Sequence, residues 1–499
     1  MGCVQAWEVR GRTRGLLRSP AQGWCRALLG APAHPREPEE SPISAVDVQR
    51  LRDGFRGAVI TPEDPGYDEA RRIWNGAIDK RPAAIARCAD PTDVVRAVRW
   101  ARDREVEVAV RGGGHGVAGN GLSDGGLVID CSPMRGVVVD PAARTARVQP
   151  GVLLGDLCRE TQAHGLAVPA GIVSHTGVAG LTLGGGIGWL MRKYGLTCDN
   201  LLAAEVVTAD GSKVRASEEE NQDLLWGLRG GGGNFGVVTS FEFRCHPVGP
   251  TVLAGMVLWP AEDASELLPL YREFALSEPE ELTTISFLRH APAAPWIPEN
   301  LHGAPVLAIG FCYAGPVETG ERVIEPLRRW GTPLLDAVER RDLTEFHYLF
   351  DGSVPHGLGY YWRSHYLRDL TPDAIDGLVA RGWATTSVRS YTILFHMGGA
   401  VRRVPPEATA FEDRTAEFSP NINAVWSNLN EPQDVGWTRE LFRALEPAST
   451  GKVYVNFMSA DEQGRVPDAF GQTKYEGLVA LKRKYDPDNF FRLNQNIRP

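Results

Sequence analysis

The chain has no Cys-x-x-Cys pair, no Gly-x-x-x-x-Gly-Lys-Ser/Thr loop, no internal repeat and no basic stripe. Each absence removes a class of function. The eight cysteines, at 3, 25, 88, 131, 158, 198, 245 and 312, do not cluster with histidines at metal-ligand spacing, so no metal site is expected. Eight thiols in 499 residues do not make a disulfide scaffold; they suit buried apolar positions in a reducing cytoplasm. Without a Walker-type loop the chain is not a P-loop nucleotide hydrolase. A net charge of −9 with scattered arginines points to no nucleic-acid partner. Residues 164–191 contain no Asp, Glu, Lys or Arg, a length that can span a bilayer. Eight glycines and Pro169 give that stretch poor helix propensity, so it reads as backbone packed close to something and not as a membrane span.

What is present is the balance of a globular protein, 43% hydrophobic and 23% charged, in a chain too long for one ordinary core. Up to His34 five arginines accompany a single acid, Glu8, with no apolar stretch of a secretory signal. Residues 1–45 are expected to form an N-terminal extension without fixed structure.

From about residue 80 the pattern is dense. Asp90-Pro91 reads as a helix cap with proline at the first helical position, and Val94, Val98 and Ala101 share one face of a helix through Glu105. Val106–Val110, Leu127–Asp130, Val137–Val139 and Thr145–Val148 read as short strands. Leu154–His164 reads as a helix stopped by Gly165. Asp210-Gly211 between Val206–Ala209 and Ser212–Ala216 is a hairpin signal. Residues 250–450 differ, with fewer glycine loops and gathered aromatics (Tyr348, Phe350, Tyr360, Tyr361, Trp362, Tyr366). Strand-like runs (Val306–Gly310, Tyr391–His396) mix there with helical ones (Pro316–Trp330, Thr371–Trp383), which reads as a second domain with a mixed sheet. Val453–Phe457 reads as a strand and Tyr475–Tyr485 as a helix.

Three glycine clusters lie close in sequence: Gly112–Gly119, Gly177–Gly188 and Gly230–Gly236. Ordered glycine is entropically expensive, and clusters embedded in apolar sequence suit backbone N–H groups approaching an anion such as a diphosphate. Two clusters match Gly-x-Gly-x-x-Gly by letter. Neither is followed by a helix: Asn120–Gly126 cannot form one, and Val237–Phe243 is strand-like. The dinucleotide-binding helix of a Rossmann unit is therefore missing. His115 sits inside the first cluster, and a neutral imidazole is a nucleophile near neutral pH.

Val108-Ala-Val-Arg-Gly-Gly-Gly-His-Gly-Val-Ala-Gly119 resembles the FAD-binding loop of the vanillyl-alcohol-oxidase superfamily, and most of all its berberine-bridge-enzyme-like branch. Further matching motifs follow in order: Gly184–Gly188, Lys193–Asn200, Asp223–Thr239, Lys484–Phe490 and Asn494–Ile497. The resemblance implies an α+β fold: a two-subdomain FAD-binding domain of the PCMH type over 46–248, a mixed α+β substrate domain built on a β-sheet over 249–450, and a C-terminal segment, 451–499, returning to the FAD domain. It implies FAD joined by a single covalent link to His115. The second, cysteinyl link of many members is not expected, because Val173 stands where the cysteine would be, as in the nicotine-oxidase-like members. Cys158 and Cys198 are out of register, and His175 nearby is expected to be structural.

By the same resemblance the cofactor contacts are Arg111, Gly112, Gly113, Gly114, His115, Gly116, Gly119, Thr176, Gly177, Gly180, Gly185, Gly188, Asn234, Gly236, Val238, Asn456, Asn494 and Asn496. Tyr454 is the candidate base or orienting group; Tyr361, His365 and His396 are weaker candidates for substrate contact. Phe457 and Asp413 depart from the residues common in relatives. The implied activity is an oxidase taking a hydride from a C–H next to an alcohol or amine of a small molecule, with O2 as acceptor. A same-fold dehydrogenase with another acceptor, and a flavin-binding protein without turnover, stay open at this point.

Overall fold

Asp90 accepts hydrogen bonds from the backbone N–H groups of Thr92 and Asp93, and Pro91 takes the first helical position, so the helix Pro91–Arg102 starts where the sequence signals it. A cap of this kind contributes about 1 kcal/mol. Val94, Val98 and Ala101 on its inner face pack on Val108, Leu127 and Ile129 of a four-stranded sheet. The computed structural model describes residues 43–499. Residues 1–42 of the expected extension lie outside them, while Ser44 already caps the helix Ala45–Arg52.

The four-stranded sheet runs in the order 58–60, 84–87, 127–130, 108–111; its last three strands are parallel. Beside it lies a five-stranded antiparallel sheet in the order 137–140, 145–148, 237–244, 201–207, 213–216. The expected hairpin is in place, with Val207 opposite Lys213 and Gly211 at φ +75° in the turn.

The third sheet has eight strands, in the order 335–336, 251–260, 305–313, 282–290, 391–396, 418–426, 359–364, with 339–342 also pairing with 251–260. Every pairing in it is antiparallel, which corrects the mixed sheet expected from sequence. The helix Ala264–Ser277 does make a crossover between two strands of the same direction, 251–260 and 282–290. The strand 305–313 inserts between them, so no hydrogen-bonded neighbours run parallel. Side chains alternate along these strands as the pleat requires. Leu253, Val257 and Leu394 face helices that contribute Leu267, Ile324, Leu378 and Leu441. Ala254, Met256, Ile393 and Phe395 face the opposite way, into a core shared with Trp74, Trp189 and Tyr454.

The C-terminal segment joins the five-stranded sheet's core through Val453, Val455, Phe470, Leu478 and Ile497. Val453–Phe457 is not a strand. Val453 and Val455 enter one core and Tyr454 another, which gives a strand-like alternation. No neighbouring strand pairs with it, and Phe457 N–H closes a turn on Tyr454 C=O at 2.9 Å. The expected C-terminal helix ends at Tyr485 and is preceded by a further helical segment from Val466, the two broken at Gly471, whose φ of +66° and ψ of 161° are not helical. The uncharged stretch 164–191 packs backbone on backbone: a Cβ at Gly188 would lie 1.7 Å from Ala170 C=O. Among the described residues no helix is long and apolar enough to cross a membrane.

Candidate active site

The first glycine cluster leaves the end of the strand Val108–Arg111 and meets the second backbone to backbone. A Cβ on Gly113 would come within 2.5 Å of Gly177 Cα. Together with the third cluster they line one cavity of about 320 Å³. Gly116, Gly180 and Gly233, one from each cluster, line it with nothing within 4 Å of the position a Cβ would take. Bare backbone from three separate segments therefore faces the same open space, as expected for a ligand that needs N–H groups at close range.

Of the residues expected at a cofactor, Arg111 to Gly114, His115, Gly116, Thr176, Gly177, Gly180, Gly236, Val238, Asn456 and Asn494 line this cavity. Gly119, Gly185, Gly188, Asn234 and Asn496 do not. Gly119 abuts Ile78, and Gly185 abuts Phe411 and Tyr454, so both serve packing. Asn234 is fully buried and pins the chain. Its Nδ2 donates to Gly231 and Gln495 C=O, and its Oδ1 accepts from Ile497 N–H. The Arg111 guanidinium is spent on Asp130, at 3.1 and 2.6 Å, and on Ala70 C=O.

His115 stacks on Trp74, ring centroids 4.3 Å apart and 15° from parallel. Its Nε2 lies 3.1 Å from His175 Nδ1. His356 stands behind His175 at 4.8 Å. Burial holds the His115 imidazole well below its usual pKa, and the two neighbouring histidines push the same way. The ring is neutral at about pH 7, with a lone pair available for bonding. His175 is also lowered, mainly by burial, and its buried Nε2 has no protein partner. His175, expected to be structural, is thus hydrogen-bonded directly to His115.

Val173 lines the cavity, whereas Cys158 faces Thr344 and Cys198 faces Asp199, both outside the lining. Cys131 lines it, but burial holds its thiol far above the usual range, and it does the same for Cys198. None of these thiols is a thiolate poised for attachment.

Tyr454 is 2% exposed, and its Oη accepts from Gly186 N–H at 2.7 Å and Asn456 Nδ2 at 2.9 Å. Burial pushes its phenol up to about 12 despite these donors, so it stays protonated at neutral pH. Phe457 meets the Tyr454 ring edge-on at 4.8 Å and Trp362 at 5.7 Å.

The weaker substrate candidates stand elsewhere. Tyr361 Oη is bonded to Asp461 and Arg439, His365 Nε2 to Phe442 C=O, and His396 is buried against Glu278. Trp362, Tyr391, Asn421 and Asn423 line the cavity in their place, on adjacent strands of the eight-stranded sheet. Their signal in the sequence was strand parity alone, which a one-residue slip reverses. Asp413 is buried at φ +61°, beside the Arg414–Asp199 ion pair, and does not line the cavity.

A family model described as an FAD binding domain matches residues 82–217, and one described as berberine and berberine like matches 453–498. The chain is 35% identical over 459 residues to an FAD-linked oxidoreductase of Dictyostelium discoideum, covering 91% of this chain and 97% of that protein. It is 33% identical over 463 residues to (R)-6-hydroxynicotine oxidase of Paenarthrobacter nicotinovorans, covering 89% and 97%. The crystal structure of 6-hydroxy-D-nicotine oxidase from Arthrobacter nicotinovorans superposes with a TM-score of 0.79 at 31% identity, covering 89% of this chain and 98% of that one.

Proposed function

This chain belongs to the berberine-bridge-enzyme-like family of FAD-linked oxidoreductases, and we propose that His115 bonds its FAD covalently while the eight-stranded sheet presents a small-molecule substrate to it. The protein is an FAD-dependent oxidase. The residues fit the cofactor on the structure's own terms: at Gly116, Gly180 and Gly233 a side chain would fill the cavity that bare backbone leaves open. Residues 46–248 with 451–499 form the cofactor-binding part in this reading, and 249–450 the substrate part.

The observation that carries the reading is His115 itself, a neutral imidazole at the cavity wall, fixed by Trp74 on one face and by His175 at its Nε2. Bound there, FAD would supply a two-electron acceptor for a substrate hydride, with O2 as the final acceptor. The chain's own residues bind, orient and exclude water. Asn456 and Gly186 fix Tyr454, whose phenol O–H positions the reacting alcohol or amine. Phe395, Phe457 and Ile393 keep the space apolar and dry. For an alcohol the carbinol C–H and O–H bonds break and a carbonyl forms, while O2 becomes hydrogen peroxide.

Val173 at the cavity and the protonated thiols around it support one covalent bond and not two. The six free cysteines among the described residues support a reducing cytoplasm. The test is to denature the purified protein in acid and digest it. Yellow fluorescence should stay with the peptide carrying His115; a polypeptide that releases all its pigment overturns the covalent assignment.

A further inference from the structure

Of the buried polar atoms of the eight-stranded sheet that lack a protein partner, three belong to residues that line the cavity: Trp362 Nε1, Asn421 Oδ1 and Asn423 Oδ1. Asn423 is paired in register with Trp362 on one side and Tyr391 on the other, and Asn421 with Ile393. All five side chains line the cavity. Asn421 and Asn423 are 3% and 1% exposed. Asn423 Nδ2 donates to Asn421 C=O at 2.7 Å, which fixes that amide with its oxygen unpaired. Buried acceptors and donors are ordinarily satisfied, so this row marks where a ligand supplies the missing groups. The two oxygens call for donors and the indole N–H for an acceptor.

The charge inventory narrows the ligand further. Among the described lining residues there is no Asp, Glu or Lys, and the one arginine, Arg111, is taken by Asp130. Arg289 lies against the ring of Tyr391 at 5.1 Å but does not line the cavity. An ammonium or carboxylate entering this space would lose its hydration with no counter-charge to meet it. Phe395 and Phe457, stacked at 5.7 Å and 27°, give the same space a flat apolar wall.

We infer that the substrate is an uncharged ring-shaped alcohol that offers at least two hydroxyl donors and one acceptor to Asn421, Asn423 and Trp362. This deepens the reading above and rests on it. Neutral hydroxylated rings recover the hydrogen bonds that the empty row forgoes. A protonated amine can donate to the two oxygens, but it leaves the indole N–H without an acceptor and meets no counter-charge, so an amine enters as its free base.

The test uses the yellow, flavin-loaded chain under anaerobic conditions, titrated with resorcinol, benzoate and phenyltrimethylammonium and followed by perturbation of the visible absorption band. None of these probes carries an oxidisable carbinol, so the readout is binding. Resorcinol is expected to bind about tenfold or more tighter than either ion. Asn421→Leu and Asn423→Leu should each weaken it by about tenfold while the colour is retained. Asn423→Asp should raise phenyltrimethylammonium affinity by about tenfold, a gain that misfolding does not produce. Ions binding as tightly as resorcinol to the unaltered yellow protein, or resorcinol binding that ignores both leucine variants, overturns this inference alone. A colourless polypeptide removes it together with the cofactor reading.

Discussion

His175 Nδ1 stands 3.1 Å from His115 Nε2, and Trp74 covers one face of the same His115 ring. The pair fixes the orientation of the imidazole and gives its proton a neighbour to move to. With its own proton on the buried Nε2, His175 presents the Nδ1 lone pair to that proton. Replacing His175 by Ala is expected to slow covalent attachment of FAD about tenfold or more, by loss of positioning. FAD should still enter the cavity reversibly, and added imidazole should restore part of the rate. His115→Ala should abolish attachment outright. The measurement is fluorescence that stays with acid-denatured polypeptide against time after adding FAD. Equal attachment rates in His175→Ala and the unaltered chain rule out the positioning role.

Tyr454→Phe removes the oxygen that accepts from Gly186 N–H and Asn456 Nδ2. Two buried donors then lose their partner, which costs about 1–3 kcal/mol of stability. Removal of the phenol O–H from the site should lower kcat about 10- to 100-fold with the flavin content unchanged. Single-turnover reduction by a good substrate reads the effect directly. An unchanged rate in yellow Tyr454→Phe protein shows that the residue is only a packing aromatic.

Acid should unfold this chain from below about pH 6.5, because its buried histidines resist protonation. Burial lowers His347 and His365 to about 4 from 6.5, and His347 Nε2 and His365 Nδ1 have no protein partner. Between those pH values the unfolded chain binds protons that the folded chain refuses, so stability falls as pH drops through that window. Each fully buried ring contributes up to about 3 kcal/mol of loss by pH 4. Thermal melting from pH 7 to 4 should show a steep decline, flatter in His365→Phe. A melting temperature level across that range contradicts the assignment.

The glycine clusters and His115 were legible in the sequence because each is contiguous, and because glycine density in apolar sequence needs a physical cause. The hairpin at Asp210-Gly211 and the cap at Asp90-Pro91 were legible for the same local reason. Properties of pairing were not legible. Tyr361 and Trp362 are adjacent in a strand, so which of them faces the cavity depends on parity and register, and the choice fell on Tyr361. The antiparallel sheet hides behind a strand–helix–strand pattern because the inserted strand, 305–313, arrives later in the chain. Trp74 stacks on His115 from a segment with no regular pattern to mark it.

Lys482 and Asp486 form an ion pair of 2.6 Å with both side chains fully buried. Lys482 Nζ also donates to Asn234 C=O at 2.8 Å and Phe491 C=O at 2.9 Å, so one ammonium ties the final helix to the third glycine cluster. Asp486 accepts from Phe490 and Phe491 N–H as well, which holds the chain end that carries Asn494 to the cavity. Lys482→Met leaves the carboxylate buried without its cation and should cost about 3–5 kcal/mol. The loss should appear as a lower melting temperature and as weaker reversible FAD binding, since Asn234 loses its anchor. Adding Asp486→Asn should restore part of the stability, because the unpaired charge is then gone. If the double variant is as unstable as the sum of the two single ones, the pair acts through packing and not through charge.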